Sequence, residues 1–310
     1  MAGPTADLDL GRAGLPVPGS VTTFGRLWIS RQAHRTVGRI APNSTRLLYE
    51  RWNADPRSLS LVIPAYNEED RITKALNAYL PVLERLRIPH EVIVICDGQD
   101  GTPAVVRSYS DRGVVCYEYS TKMGRGGAIL EGFRKSTGDL VAFADADGSV
   151  PAADFEHLVQ LAFQGAPAVI ASRRLMPDLV PVPEPAFRRS IGFAWHLLVK
   201  MLLGLRLEDA QCGLKIFSKR VVHEVILKQL TVTNRTFEVG MLFHVAKSGI
   251  PILEVPVRYV HDFDTRMPIR GAVPIMFLTL VGILLSNRWV SKNGQPPAFA
   301  MDLKRRFATV

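Results

Sequence analysis

Two aspartates one residue apart, Asp145 and Asp147, follow the apolar run Leu140–Ala144 in the segment Phe143-Ala-Asp-Ala-Asp-Gly-Ser149. Carboxylates at that spacing suit a hard divalent cation, Mg2+ or Mn2+, whose remaining positions accept phosphate oxygens. Such a cation cancels charge on a departing diphosphate and lowers the barrier to its release. With the neighbouring hydroxyl, the candidate metal ligands are Asp145, Asp147 and Ser149. Asp-x-Asp also describes a turn carrying two solvated acids. Its place after a buried run, with Gly148 permitting a tight turn, favours the metal reading.

Three further segments carry polar chemistry after apolar runs. Pro64-Ala-Tyr66-Asn-Glu68-Glu69 ends the first run: Tyr66 offers a flat face for a base, and Glu68 can accept from a base or ribose. An ordinary strand-to-helix loop, with Asn67 as cap, explains the same residues. Asp97 ends the second run, within reach of a nucleoside. Lys122-Met-Gly124-Arg125-Gly-Gly127 opens a helix; its glycines allow close backbone approach, and Lys122 or Arg125 can neutralise phosphate. A dinucleotide fingerprint belongs after the first strand of its unit, and this loop follows the third, which argues against NAD.

Together these segments resemble the inverting family-2 glycosyltransferases of GT-A fold, most of all the polyprenyl (dolichyl)-phosphate glucosyl- and mannosyltransferases. The likeness runs from about Ser60 to Tyr259 and includes Pro64–Glu69 followed by Arg71-Ile72, Gly124–Gly127, Phe143–Gly148, Ala171-Ser-Arg173 and Glu208-Asp-Ala-Gln-Cys-Gly-Leu-Lys-Ile-Phe217. It implies that Pro64, Tyr66, Glu68, Asp97 and Asp145 contact the nucleotide and that Asp147 is the main, catalytic metal ligand. Arg173 matches an arginine that binds the acceptor phosphate, and Arg188 or Arg189 stands where the next is expected. A guanidinium fork suits a phosphate approaching an already anionic donor. A helix-surface pair is the plainer reading of Arg188 and Arg189.

The chain departs from the family pattern at Cys96-Asp97, where two aspartates are common. It departs again at Phe237-Glu238-Val239-Gly240, which lacks a second carboxylate, and at His261–Arg266 after the Val255-Pro256 strand. The implied reaction is a single inverting displacement from a nucleotide sugar of UDP-glucose or GDP-mannose type. A polyprenyl phosphate acceptor is already an anion and needs no base. A hydroxyl of a soluble small molecule needs one, and Asp209 is the candidate, unless it merely caps the segment after it. A non-catalytic nucleotide-sugar-binding relative is the third possibility.

These motifs need a scaffold that brings strand ends together. From Leu59 onward, strand-length runs at Leu59–Pro64, Glu91–Ile95, Val114–Tyr119, Leu140–Ala144 and Ala168–Ala171 alternate with helical stretches Arg71–Arg87, Pro103–Asp111, Gly127–Lys135 and Asp154–Phe163. That order predicts an α/β fold with a mostly parallel sheet flanked by helices, which binds ligands beyond the carboxyl ends of its strands. Beyond it the sequence predicts helices near Ser190–Gly204 and Val239–Ser248, and strands at Leu214–Ser218 and Ile252–Tyr259. Three parts are expected: a tail and basic helical segment (1–57), the GT-A catalytic domain (58–265), and an apolar helix with a basic tail (266–310).

The 310 residues are 47% hydrophobic and carry a formal charge of +9, so anionic partners are favoured. Nucleic acid lacks a recognisable module here. The arginines of Arg26–Arg57 alternate with apolar residues, which fits either a segment lying on a membrane or a solvated helix face. The uncharged stretch between Arg270 and Arg288, with Val273–Leu285 almost wholly apolar, barely reaches across a bilayer core of about 30 Å, so a helix lying in or against a membrane, or a buried core helix, is expected before a full span. Three scattered cysteines and no signal-like start suit a reducing compartment. The expected location is therefore cytoplasmic, peripheral at the cytoplasmic face of a membrane.

Overall fold

The computed structural model describes residues 51–53, 55–180, 186–230, 236–260 and 276–284, with the side chains of 186–188 also outside the description. The expected basic N-terminal segment, His261 to Arg266 and the basic C-terminal tail therefore lie outside the described residues, as does most of the flanking sequence of the apolar C-terminal segment.

Within that set the chain alternates strand and helix as the sequence predicts. It runs β1 (Leu59–Ala65), α1 (Ile72–Leu86), β2 (His90–Cys96), α2 (Thr102–Arg107), β3 (Val114–Glu118), α3 (Gly124–Lys135), β4 (Leu140–Ala144), α4 (Ala152–Phe163) and β5 (Ala168–Ser172). It continues through α5 (Ala186–Leu203), β6 (Leu214–Ser218), α6 (Phe237–Lys247) and β7 (Leu253–Pro256). A helical stretch between β6 and α6 includes a π-helical turn at Val222–Ile226.

The strands form one sheet in the order β3-β2-β1-β4-β6-β5-β7. Only β6 runs against its neighbours β4 and β5; the other pairings are parallel. Both faces are covered, so strands read as continuous apolar runs with side chains alternating between two cores. In β1, Leu59, Leu61, Ile63 and Ala65 face the core beneath α1 and α4, whereas Val62 faces the core beneath α3 and α6. In β4, Leu140, Ala142 and Ala144 go one way and Val141 and Phe143 the other.

The crossover helices change faces between β1 and β4. Helix α1 follows β1 onto one face, and α3 leads into β4 from the other. Such a switch point splays the loops after adjacent strands and opens a crevice at their carboxyl ends. Pro64–Tyr66 and Asp145 fall at that crevice.

Several boundaries differ from the sequence reading for local reasons. Helix α2 stops at Arg107, and a separate 3-10 turn, Ser110–Arg112, ends at Gly113 with φ 75. Strand β7 ends at Pro256, which cannot donate to a ladder. Helix α3 begins at Gly124, three residues early, and α5 begins at Ala186. Cys96 and Cys116, far apart in sequence, meet across β2 and β3 with their sulfurs 3.5 Å apart as free thiols.

Helix α3 lies close on β1 because Gly132 has no side chain: a Cβ there would stand 2.2 Å from Val62 Cγ1. Gly132→Ala is therefore expected to overpack this contact and destabilise the fold by about 1–3 kcal/mol. Chemical denaturation checks this; a midpoint at or above wild type contradicts it.

Candidate active site

The acidic motif forms the tip of β4. Asp145 N–H bonds Gly213 O at 3.2 Å, and Gly148 N–H returns to Asp145 O at 3.4 Å. Gly148 turns the chain at φ 63. Asp147 Oδ1 accepts from Ser149 N–H at 2.9 Å, and Tyr79 O–H bonds Val150 O at 2.9 Å, tying the loop to α1. Tyr79, Asp145, Ser149, Val150, Gly213 and Tyr259 line one small cavity at this tip.

Asp145 is held by an ionic cluster whose inner members, Lys215 and Glu238, are buried while Arg125 and Asp145 are half-buried. Arg125 Nε and Nη2 approach its Oδ1 at 2.8 and 2.7 Å, and Arg125 Nη1 reaches Glu238 Oε2 at 3.0 Å. Glu238 Oε1 also takes Lys215 Nζ at 2.8 Å, and the same ammonium bonds Cys212 O at 2.6 Å. Two carboxylates and two cations make this group neutral overall, which is what lets it survive burial. Burial lifts the Asp145 carboxyl above its ordinary pKa; Arg125 opposes that, while Asp147 and Glu238 add to it. Burial pushes Glu238 the same way, but Arg125 and Lys215 outweigh it and hold that carboxyl low.

Asp147 stands outside the neutral group and is half-buried at the mouth. Hard oxygens on Asp145 and Asp147, crowded and only partly compensated, fit a divalent cation. Among the described residues no third His, Cys, Asp or Glu joins them. Ser149 is buried beside the pair. The remaining positions would fall to it, to water or to diphosphate oxygens. Gly213 permits this packing, because a Cβ there would lie 1.9 Å from Asp145 Oδ2.

The expected nucleotide residues converge beside this tip, though several are engaged with one another. Tyr66 is 42% exposed, and Lys122 Nζ lies 3.7 Å over its ring. The face expected for a base thus carries an ammonium, which also supplies positive charge at the crevice. Glu68 takes Arg71 bidentately, both contacts at 2.8 Å. Asp97 is buried, and its Oδ2 accepts from Met123 N–H (2.8 Å) and Gly124 N–H (3.0 Å), so it fastens the start of α3. Pro64 is half-buried in β1 opposite Ile95.

Interlocked turns hold these groups in place. Asn67, at φ 56, accepts from Gln99 N–H, and Glu69 and Asp100 exchange bonds with the backbone of the opposite loop. Gly98 fits against Asn67 with no room for a Cβ.

At the residues expected for the acceptor, Arg173 and Asp209 form a fork: Nε to Oδ2 at 2.7 Å, Nη2 to Oδ1 at 3.0 Å, and Arg173 N–H to Oδ2 at 3.1 Å. Burial alone would raise the Asp209 pKa, but Arg173 more than offsets it and holds the carboxyl at about 2. Glu254 of β7 fixes the backbone here, accepting from Glu208 N–H and Asp209 N–H at 3.0 and 2.7 Å. The Arg173 guanidinium lies 5.1 Å over the Tyr259 ring. Arg189 is exposed in the first turns of α5; Arg188 precedes it, its side chain outside the description.

Sequence reasoning missed Lys215, Gly213 and Glu254, and took Glu238 only as a remnant. Lys215 and Glu254 each interrupt an apolar strand with a charge, a signal that could have marked them.

Two outcomes follow. Gly213→Ala is expected to displace Asp145 and weaken Mn2+-dependent nucleotide binding roughly 10-fold or more, read by calorimetry on a protein that still melts cooperatively; unchanged affinity contradicts it. The Asp209 carboxyl is depressed on folding, so its stability contribution is complete at neutral pH. It is lost as pH falls from the ordinary 3.8 through about 2, a loss of about 2 kcal/mol. Comparing acid unfolding of wild type and Asp209→Asn isolates that part, and superimposable curves exclude it.

Comparison with known proteins agrees with this geometry. Residues 60–230 match Glycosyl transferase family 2. A dolichyl-phosphate beta-glucosyltransferase of Drosophila melanogaster is 31% identical over 217 residues, covering 65% of this chain and 66% of the relative. Another, of Trichomonas vaginalis, is 30% identical over 249 residues, covering 76% of each. Among solved structures, mannosyl-3-phosphoglycerate synthase from Rubrobacter xylanophilus superposes with TM-score 0.57 at 18% identity, over 88% of this chain and 86% of that one. Glucosyl-3-phosphoglycerate synthase from Mycobacterium tuberculosis, solved with Mn2+, uridine diphosphate and phosphoglyceric acid, gives 0.53 at 18% identity, over 81% and 83%. Those two likenesses establish the fold. With its sheet, its acidic strand tip and the family match over residues 60–230, the chain belongs to glycosyl transferase family 2 and is a glycosyltransferase of GT-A fold.

Proposed function

We propose that the protein transfers a hexose, with inversion, from a nucleotide sugar of UDP-glucose or GDP-mannose type to a polyprenyl (dolichyl) phosphate at the cytoplasmic face of a membrane. The names of the relatives support a dolichyl-phosphate acceptor and, among donors, a glucosyl one. The observation that carries the acceptor assignment is the Arg173–Asp209 fork. A buried carboxyl with a pKa of about 2, both oxygens engaged by a guanidinium, is a poor base for a hydroxyl. A phosphate monoester anion needs no base.

Asp145 and Asp147, with Ser149, are the residues that would hold Mg2+ or Mn2+, as the hard-oxygen donor set supports. When bound, that cation compensates charge on the departing nucleoside diphosphate. Arg125 and Lys215 keep the Asp145 carboxylate oriented. Tyr66 and Lys122 receive the nucleotide, Lys122 moving from the ring towards phosphate, and Pro64, Glu68 and Asp97 shape the nucleoside wall. Arg173 is oriented by Asp209 as a positioning partner. Arg188 and Arg189 crowd positive charge at the start of α5, an arrangement unfavourable to the helix unless an anion is near.

Incubation with labelled donor, Mn2+ and polyprenyl phosphate is expected to give label extractable into organic solvent. Asp147→Ala should lower that rate roughly 100-fold or more. Asp209→Asn should raise KM for the lipid phosphate and spare most of kcat. Label found only in water-soluble product, with kcat abolished in Asp209→Asn, overturns the reading in favour of a hydroxyl acceptor.

A further inference from the structure

Helix α5 presents an uncovered apolar line on its outer side. Phe193, Leu197 and Met201 recur every four residues and are 63%, 43% and 66% exposed, with Ala194 exposed beside them. Residues four apart lie above one another on a helix, so these side chains form a single ridge. The opposite side anchors the helix: Val199 is buried, and Trp195, Leu198 and Leu202 pack against the core beneath α3 and α6. The ridge is therefore surplus to the fold. Burying such side chains is worth about 1.5–3 kcal/mol each, so leaving three of them in water is costly.

The charges around the ridge select its partner. Residues 186–203 contain no Asp or Glu. Arg189 and Lys200 are exposed on the helix, and Arg206 just beyond it. A second copy of the chain would bring these cations face to face, which opposes self-association. An anionic lipid surface complements both features at once, since apolar side chains enter the acyl boundary while arginine and lysine meet head groups. The helix is amphipathic, and none of the described helices is long and apolar enough to cross a bilayer. That combination is the signature of an element lying in the interface.

The helix is also joined to the acceptor side of the site. Gly192 lies against Arg174, whose Nη2 would be 2.7 Å from a Cβ at that position. His196 Nε2 is 3.4 Å from Glu208 Oε2, next to the carboxylate that holds Arg173. Helix α5 thus meets, through Gly192 and His196, the sequence neighbours of Arg173 and Asp209.

We propose that α5 is the membrane-docking element of this enzyme, inserting Phe193, Leu197 and Met201 into the surface of an anionic bilayer with Arg189, Lys200 and Arg206 on the head groups. This docking role rests on the lipid-phosphate reading above, but docking is measured without donor or acceptor, so the two fail separately.

Leu197→Cys in the full chain, labelled with a polarity-sensitive fluorophore, reads the ridge directly. On adding phosphatidylcholine vesicles containing phosphatidylglycerol, the emission is expected to shift to the blue and to be quenched by lipid-borne nitroxides. Vesicles of phosphatidylcholine alone should produce much less. Lys74→Cys, labelled at an exposed position on α1, which packs on the opposite face of the sheet from α5, serves as the control and should not change. The combined change Phe193→Ser, Leu197→Ser and Met201→Ser should weaken co-sedimentation with the same vesicles roughly 10-fold or more, with the melting temperature retained. Co-sedimentation with no change at position 197 overturns the proposal by placing the contact elsewhere. A label already blue-shifted without vesicles overturns it in favour of cover by the chain itself. If that shift grows with protein concentration, it does so in favour of a second copy.

Discussion

A strand tip that carries two acids at the end of a buried strand faces one electrostatic difficulty. Asp145 is half-buried at the end of a core strand, where an uncompensated carboxylate is costly. The chain answers with Arg125 from the start of α3, Glu238 from α6 and Lys215 from β6, arranged so that each charge faces an opposite one. Three separate elements are thereby pinned to the tip. Lys215 is itself fully buried and lies 5.3 Å over the Phe143 ring, and Arg125 lies over Phe143 and Phe237, so aromatic faces complete the setting of the cations. Both acids are half-buried, and they differ in partners: Asp145 belongs to the neutral group, whereas Asp147 accepts from the Ser149 backbone.

The acceptor side repeats the principle with a different result. Asp209 is buried and matched by one guanidinium in bidentate geometry, and Glu254 holds the backbone beneath it. A carboxylate so satisfied orients its partner and has little capacity to take a proton near neutrality. Arg173 is thereby fixed in one orientation, and less entropy remains to be lost if it takes an anion. The same sequence pair, Glu208-Asp209, therefore reads as a base in isolation and as a positioning device once Arg173 stands in front of it.

Much of this was legible in the sequence because it depends on local pattern. Apolar runs of strand length, each ending in a polar cluster, gave the alternating order and placed Tyr66, Asp97, Lys122 and Asp145 at strand ends, where they are found. What escaped was long-range. Nothing near Gly213 says that its missing Cβ makes room for Asp145, because the contact spans two strands that pair antiparallel. The meeting of Cys96 with Cys116, and the Glu69–Gly101 and Asp100–Glu69 bonds between loops, depend on the register of β1, β2 and β3. Lys215 and Glu254 were visible as charges inside apolar strands, yet their partners lie on other elements and could not be paired by spacing alone.

The antiparallel strand β6 explains how the Asp145 tip and the Arg173–Asp209 fork come to lie side by side. A purely parallel sheet would need a crossover helix on either side of β4, and its loops would separate the two sets of residues. By entering between β4 and β5 in the opposite sense, β6 brings its amino end to their carboxyl ends, so the Asp209–Gly213 segment lies between Asp145 and Arg173. Gly213 O then takes Asp145 N–H, while Asp209 takes Arg173 N–H from the next strand along. One short segment thus contacts the Asp145 backbone through its own backbone and the Arg173 guanidinium through the Asp209 side chain. Displacing that segment disturbs both at once, so the ten residues Glu208–Phe217 act as a hinge of the chemistry rather than as a third independent motif.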